Sequence, residues 1–503
     1  MSELTLTELA EAARRDLATL AYPATDWVEA CATRQGEHVH AVIVVGAGQS
    51  GLLAAASLRR EGVHDVVVLD RAQAGQEGVW DAFARMEELR SPKALNGLEF
   101  GCPNLSIATW YAARHGRAAW EAIERVPRRD WADYLRWYRT TLALAVQSGT
   151  DVVGIRDAEA DENVLAVETE VNGRRAARFA RTVVIATGFD GAGAWRVPDF
   201  ISDHLPRDRY DHTNGPVDFE RLRGRRVAVL GHGASAFDNA NAALRAGAAR
   251  VDLCFRRTRL PRSNPHRHLE TAGTMTHFNE LDDAIRWQVA RHFRAADQPP
   301  PNRAFAEALA HPRFSLHPGR PWLSVRLDGD EIVIATPQGA LRCDHLLCGT
   351  GLAVDLAARP ELTSLAPLVA LWRDLYTPPP AQEDARLEAF PYLDANFNFL
   401  PRHERDGWVR QVFAFNGLSA VSQGPHSTSI SGHRHAMPRL VRGVTARLFS
   451  LQSASFIDRL KRYDNNDLAV PDDFESAHPA LGEPHPSPLP QPARLGRTEI
   501  VSG

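Results

Sequence analysis

Cysteine is scarce in this sequence, and its five residues, at 31, 102, 254, 343 and 348, follow no regular interval. An odd, irregular set gives no disulfide framework. No Cys-x-x-Cys occurs, which argues against a thioredoxin-like redox pair. An excess of charge is also missing: 58 Lys and Arg stand against 62 Asp and Glu, a net charge of −4. That balance gives no electrostatic case for nucleic acid or an anionic membrane surface. No apolar run approaches the roughly 18 residues of a membrane span. The N-terminus carries Glu3, Glu8 and Glu11 and no basic start before an apolar block, so no signal peptide is visible. A reduced, cytoplasmic location is the default expectation. The 20 histidines, the cluster His266-Arg267-His268 included, show no HExxH or comparable spacing. They read as surface or pocket residues, and no metal is expected.

What is present is an ordinary globular composition, 44% hydrophobic and 24% charged, over 503 residues. That length is too great for one ordinary core and predicts two or three domains. Residues 1–38 read as an amphipathic helix (Leu6, Leu9, Ala12, Leu17, Leu20) and a linker. At His40 the pattern changes. Ala41 to Val45 is a continuous apolar run that suits a buried parallel strand. It enters Gly46-Ala47-Gly48-Gln49-Ser50-Gly51, then a helix from Leu52 to Arg60, then a strand Val66–Leu69 ending on Asp70. A second unit repeats the plan. Val227–Leu230 enters Gly231-His232-Gly233-Ala234-Ser235-Ala236, a helix follows, and a strand from Val251 ends on Arg256-Arg257.

Each unit has a later partner. Val164–Val171 turns at Asn172-Gly173 and returns through a strand to Thr187-Gly188; Asn-Gly between two such runs is a strong hairpin signal. Glu331–Thr336 turns near Gly339 and returns to Thr350-Gly351. This internal duplication says more than either glycine motif alone. The expected fold is α/β, two Rossmann-like dinucleotide-binding domains, one inserted in the other, each with a β-hairpin or meander. The divisions are 39–200, the first part of an FAD domain; 201–340, an NADPH domain; and 341–470, the second FAD part with a substrate and flavin cover. A Pro-rich tail occupies 471–503. A helix is expected near Leu281–Phe293 and another from about Met437.

The chemistry follows from the two loops. A pyrophosphate lies against free backbone N–H groups at a helix N-terminus. Gly46 permits the tight turn, Gly48 the approach of phosphate, and Gly51 close packing of helix on strand. Asp70, 19 residues beyond Gly51, is placed to accept ribose hydroxyls. At the second site an acid would repel a 2′-phosphate, whereas Arg256 and Arg257 can pair with it. Their alternative is to face solvent. The first site therefore suits FAD and the second NADPH.

On these residues the chain, from about 38 to 460, resembles the class B flavoprotein monooxygenases. The motifs are the two glycine loops, Glu77-Gly78-Val79-Trp80, Leu89-Arg90-Ser91-Pro92-Lys93, Ile185-Ala186-Thr187-Gly188-Phe189 and Cys348-Gly349-Thr350-Gly351. The resemblance implies that Trp80 and Ser91 lie in segments wrapping the flavin, and that the two Thr-Gly strands mark the crossings between domains. It implies oxygenation through a flavin C4a-(hydro)peroxide, the protein positioning the cofactor and shielding it from water. Cofactor-binding candidates are Gly46, Gly48, Gln49, Ser50, Gly51, Asp70, Arg71, Trp80, Ser91, Thr187, Gly188, Gly231, Gly233, Ala234, Ser235, Arg256, Arg257, Thr350 and Gly351.

The chain also departs from the family. If His212 is the histidine of the family signature Phe-x-Gly-x-x-x-His, Pro206 and Asp208 replace the Phe and the Gly. The string Leu205-Pro206 to His212-Thr213 lies closer to the hinge of N-hydroxylating members. Arg90 stands where flavin-containing members place an asparagine. Arg90, His212 and Gln423 are the catalytic candidates; His212 reads equally as a packed hinge residue. The stretch from Phe413 to Gly424 reads as a flavin cover or as an ordinary strand, turn and helix. Cys343 and Cys348, spaced like some redox disulfides, bracket a buried strand and read as core.

The implied partners are a small-molecule substrate and dioxygen, with homo-oligomer formation left open. The function expected first is NADPH- and FAD-dependent monooxygenation, leaning to N-hydroxylation of an amine or amino acid, with Baeyer–Villiger oxidation also open. The alternatives are a flavin reductase or oxidase releasing peroxide, and a redox-sensing binding protein of low turnover. The first-site assignment is testable directly. A valine side chain at Gly48 displaces the pyrophosphate, so Gly48→Val is expected to purify colourless; full yellow flavin in that variant refutes the assignment.

Overall fold

The computed structural model describes residues 4–95, 98–465 and 468; the Pro-rich stretch 471–503 lies outside the described residues. Residues 4–451 form one compact unit. Residues from 452 form a second, in which a short helix spans Ser453–Lys461.

Helix α1 (Leu6–Thr19) is started by a capping box: Thr5 accepts from the Glu8 backbone, and the Glu8 carboxylate reaches back to Thr5. Strand β1 (His38–Val45) then runs into helix α2 (Gln49–Arg60) and strand β2 (Val66–Leu69). The unbroken apolar run in β1 is explained by burial on both faces. Val42 and Val44 pack in a layer with Leu52, Leu53 and Leu440. Ile43 and Val45 pack in a second layer with Val167, Leu362 and Phe399.

The sheet continues through β3 (Val146–Gln147), β4 (Asp151–Asp157), β5 (Leu165–Val171) and β6 (Arg174–Ile185), in the order β3-β2-β1-β6-β5-β4. The β5–β6 turn is the predicted one. Asn172 at φ 50° and Gly173 at φ 75° both take the left-handed region of a two-residue hairpin. The 12-residue β6 pairs with β1 along one edge and is shared between two partners along the other. Its N-terminal part pairs antiparallel with β5, and Val183–Ile185 lie parallel to Val412–Ala414.

The second sheet has five strands, all parallel: β7 (Tyr210–His212), β8 (Arg226–Leu230), β9 (Arg250–Cys254), β10 (Phe314–His317) and β11 (His345–Cys348), ordered β10-β9-β8-β11-β7. Between β8 and β9 lies helix α3 (Ala234–Arg245). Helix α4 (Asp283–Ala296) matches the helix expected near 281–293. A three-stranded antiparallel sheet, Ser324–Asp328, Glu331–Ala335 and Leu341–Cys343, is the second meander.

Two expectations need moving. The boundary at 341 cuts through this meander and ahead of β11, which is hydrogen-bonded to β8 in the second sheet. The chain leaves the second fold only after Gly351. There Leu352–Val354 pairs antiparallel with Gly193–Trp195, so the outgoing and returning crossings form a two-stranded ribbon. The helix expected from Met437 begins earlier: α5 spans His433–Leu451 and tolerates Pro438 in its second turn. Having no N–H, Pro438 leaves the Arg434 carbonyl one turn back without its ladder donor, a single lost bond in a helix of 19 residues.

Helix α5 packs along α2, and Gly443 is the closest approach of its flank to the sheet. A Cβ there would stand 2.6 Å from the Asn396 Cβ and 3.0 Å from the Phe413 ring. Alanine is the better helix former by about 1 kcal/mol, but overpacking costs roughly 1–3 kcal/mol. Gly443→Ala is therefore expected to lower the thermal unfolding midpoint. A raised midpoint shows that propensity wins.

Candidate active site

The two glycine loops repeat one construction. At the first, Gly46 has φ 102°, and a Cβ on it would meet the Ala186 carbonyl oxygen at 2.7 Å. A Cβ on Gly51 would stand 1.8 Å from the Gly46 oxygen. These two glycines are fixed by packing. Gly48 differs: only the Gly78 Cα comes near its Cβ position, at 3.7 Å. Gly48 is also the N-cap of α2, and no side chain caps that turn. The first N–H groups of α2 thus face an open cradle, which fits a pyrophosphate.

Asp70 stands at the end of β2 as expected. Its Oδ2 accepts from the Ala47 N–H at 2.7 Å and its Oδ1 from the Ala72 N–H at 2.8 Å. Burial raises its pKa, against the pull of those two donors. Arg71 is exposed beside it. The Gln49 amide oxygen accepts from Trp131 Nε1 at 3.2 Å, and Ser50 Oγ lies 2.9 Å from His433 Nε2. Trp80 meets Trp131 edge to face at 6.3 Å. The loop carrying Gly78 and Trp80 is anchored by Glu77, whose carboxylate accepts from Arg139 at 2.6 Å, Ser148 at 2.6 Å and the Gly75 N–H at 2.8 Å. Ser91 is partly buried further along the same stretch. This donor and acceptor set fits FAD.

At the second loop, Gly231 has φ 128°, and a Cβ on it would meet the Gly349 oxygen at 2.4 Å. Gly233 has nothing within 4 Å of its Cβ position and caps α3 without a side chain. Ala236, in place of a third glycine, is accommodated by a glycine opposite it. A Cβ on Gly349 would lie 3.1 Å from the Ala236 methyl. Beyond β9 lies a cavity of about 520 Å³ lined by Arg256, Arg257, Arg291, Arg294 and Arg386, with Asp384 the one acid among its lining residues. Arg257 donates to the Ala295 carbonyl at 2.8 Å, whereas Arg256 makes no ion pair among the described residues. Five guanidiniums around one opening fit a 2′-phosphate. The sequence pointed to Arg256 and Arg257. The arginines from α4, and Arg386 from beyond the crossing, become visible only when the fold gathers them.

Between the loops, the crossings carry a half-buried polar chain. Ser235 Oγ donates to the Asn214 side chain at 3.1 Å, and the Asn214 amide donates to Asp190 Oδ1 at 2.9 Å. Burial raises the Asp190 pKa, opposed by hydrogen bonds from Asn214 and Trp195. Thr187, Gly188, Thr350 and Gly351 all lie here. Asn416 donates to Thr187 Oγ1 at 3.1 Å, and Thr350 Oγ1 bonds the Arg196 carbonyl. Ala234 opens α3 beside Ser235.

The three catalytic candidates are engaged in structural bonds. His212 ends β7, its ring stacked on Trp195 at 5.8 Å. Its Nδ1 accepts from the Asn214 N–H at 3.2 Å, so Nε2 carries the proton and donates to the Gly351 carbonyl at 3.0 Å. That is the hinge reading of His212. Arg90 pairs at 2.8 Å with Asp238 of α3, tying the first fold to the second. Burial raises the pKa of Asp238, and Arg90 opposes it. Gln423 donates to the Asp394 carbonyl and accepts from Arg439. The sequence reading missed His433, which is fully buried, stacks on Phe415 and reaches Ser50 of the glycine motif. No spacing could reveal it, since 383 residues separate the two.

His212 also sets an acid limit. Burial lowers its pKa from 6.5 to about 4. The unfolded chain takes up the proton first, so stability is complete above about pH 6.5 and falls as pH drops towards 4, by on the order of 3 kcal/mol for this group. His433, lowered to about 3 by burial, adds in the same direction. Urea midpoints measured from pH 7 to 4 are expected to fall, and His212→Asn is expected to flatten part of that slope. An unchanged slope in the variant refutes the role given to His212.

Comparison with known proteins agrees with this geometry. The family model for pyridine nucleotide-disulphide oxidoreductases matches residues 43–296, just over half of the chain. An FAD-dependent urate hydroxylase from Xanthomonas campestris is 42% identical over 462 residues, covering 92% of this chain and 97% of that protein. Among solved structures, ornithine hydroxylase from Pseudomonas aeruginosa superimposes with a TM-score of 0.65 at 16% identity, covering 82% of this chain and all of the other. An ornithine N-hydroxylase from a Kutzneria species gives 0.63 at 17% identity, over 81% of this chain and 99% of the other. At such identities these two structures speak to the fold. The chain belongs to the pyridine nucleotide-disulphide oxidoreductase family and, within it, to the flavoprotein monooxygenases to which the urate hydroxylase is related.

Proposed function

We propose that this chain hydroxylates urate or a closely related oxidised purine, using FAD, NADPH and dioxygen. The observation that carries the redox part is the pair of uncapped helix N-termini at Gly48 and Gly233, facing one polar crossing, one ended by Asp70 and the other by the arginine-lined cavity. The substrate rests on the 42% identity to a urate hydroxylase across nearly the whole chain. The amine hydroxylases share this fold at 16–17% identity, which is evidence about architecture rather than substrate. That weighting moves the substrate reading from an amine to a purine.

Two electrons from NADPH and a proton balance the reaction: one oxygen atom of O2 enters the substrate and the other leaves as water. The chemistry that bound FAD would supply is hydride acceptance from NADPH and activation of dioxygen. The protein's part is to bind, orient and exclude water. Gly48 and the first turn of α2 would hold one pyrophosphate, and Asp70 the ribose beside it. Gly233 and α3 would hold the other pyrophosphate, with Arg256 at the 2′-phosphate. Asp190, Asn214 and Ser235 form a hydrogen-bonded chain that runs from the first crossing to the start of α3.

A dithiol relay has no pair to work with. All five cysteines are free thiols; burial pushes the Cys254 thiol up to about 11 and Cys348 up to about 12, and raises Cys343 as well. Cys343 and Cys348 sit in the meander and β11, as core.

Urate-dependent NADPH oxidation is the direct test, with one labelled oxygen from 18O2 in the product. NADPH consumption unaffected by urate, with stoichiometric peroxide, overturns the proposal in favour of an oxidase. Arg256→Ala is expected to cost on the order of 1.5–3 kcal/mol in NADPH binding and to change NADH use little. Equal losses with both coenzymes point instead to a pyrophosphate role.

A further inference from the structure

We propose a divalent metal site at the edge of the first sheet, remote from both glycine loops, in which His38, His40 and Asp65 bind Zn²⁺. His38 and His40 are two residues apart on β1, so their side chains leave the same face of the strand. Asp65 is the residue before β2, the parallel neighbour of β1, and the fold brings its carboxylate between the two rings. His38 Nε2 lies 3.1 Å from Asp65 Oδ2, and His40 Nδ1 lies 2.8 Å from Oδ1. The imidazoles are edge to face at 4.6 Å. One ligand atom from each residue falls within 4.8 Å of the others.

The carboxylate is already oriented. The Ala41 N–H donates to Asp65 Oδ2 at 3.1 Å, the kind of outer hydrogen bond that fixes a ligand's direction. Two imidazoles share this one carboxylate, and a divalent cation bound by the same atoms would replace their hydrogen bonds to it with bonds to a single centre. Neighbouring ligand atoms of a tetrahedral zinc with bonds of about 2.0–2.1 Å stand a few tenths of an ångström further apart than these nitrogens and oxygens. The His38 side chain, 58% exposed, can turn to provide that room and leaves a coordination position open to water.

The donor set chooses the metal. Two imidazoles and one carboxylate suit Zn²⁺, Ni²⁺ and Cu²⁺, whereas Mg²⁺ and Ca²⁺ require oxygen-rich shells. Of the neighbours, His64 is not a ligand, because its Nε2 is bonded to the Ala24 carbonyl at 2.8 Å. The site lies where β1 begins, at the opposite end of the strand from Gly46. Its effect is a cross-link between β1 and the approach to β2, under the FAD-binding half, and not a step in oxygenation. The proposal departs from the sequence expectation of no metal. His-x-His alone is a weak pattern, and its third ligand lies 25 residues on from His40.

The test uses the tag-free, flavin-loaded full chain, stripped with a chelator and dialysed against ZnCl2, with bound zinc measured by atomic emission. The wild type is expected to retain one equivalent that His40→Asn loses, and His38→Asn is expected to weaken binding at least tenfold. Zn²⁺ is expected to raise the thermal midpoint of the wild type and leave that of His38→Asn unmoved, with flavin content and NADPH oxidation of His38→Asn unchanged. With Cu²⁺ as probe, the electron paramagnetic resonance spectrum should show two nitrogen ligands in the wild type and one in His38→Asn. No zinc above a protein-free blank, or equal zinc in wild type and both variants, overturns the proposal. If His40→Asn fails to fold, the exposed His38→Asn decides alone.

Discussion

The structure depends on two places where the end of a strand presses against a glycine. Ala186 stands over Gly46 and Gly349 over Gly231, each so close that a Cβ on the loop glycine would fall within 2.7 Å of a carbonyl oxygen. This contact sets the turn from strand to helix, and the turn aims the helix N-terminus at the open cradle. A capping side chain would stabilise each helix, typically by about 1 kcal/mol. Neither helix has one. A bound phosphate would accept from these uncapped N–H groups in place of a capping side chain, so local helix stability is given up for binding. The two loops reach the same fit with different residues. Gly51 fits beneath Gly46 at the first, and at the second the methyl of Ala236 is matched by Gly349.

From that contact the strand ends lead directly into the crossings. Thr187-Gly188 and Thr350-Gly351 finish strands that pair with β1 and β8, and the chain then passes between the folds. The passage is held by half-buried polar bonds rather than by apolar packing alone. His212 closes on the Gly351 carbonyl, Asn214 on Asp190, and Arg90 on Asp238. A neutral, doubly bonded His212 holds one geometry, and its low pKa follows from burial rather than from any reacting partner. Both glycine loops lie at this passage, the arrangement that the proposed transfer between cofactors held by different folds requires.

Much of this was legible in the sequence. The apolar run at Ala41–Val45 announced a strand buried on both faces, Asn172-Gly173 a hairpin, and the two glycine loops the turns from strand to helix. The misplacements also have physical causes. The division at 341 missed that β11 belongs to the second sheet, because a short apolar strand carries no mark of its pairing partner. The start of α5 was set too late, because Pro438 looks like a boundary, although the helix runs through it at the loss of one ladder bond.

The sequence by itself determined what is local: strand, glycine turn, helix and terminal acid or arginine lie within one short β-α-β unit, and their order fixes their chemistry. Only the tertiary structure decided what is shared between distant segments. It gave Arg90 to Asp238 across 148 residues, His433 to Ser50 across 383, and Asp65 to the two histidines of β1. It also gathered arginines from three segments around one cavity. The reason is that a periodic pattern records which face of an element is buried, but not which element covers it. That choice is made by the packing of whole layers, and polar partners meet only after those layers have closed.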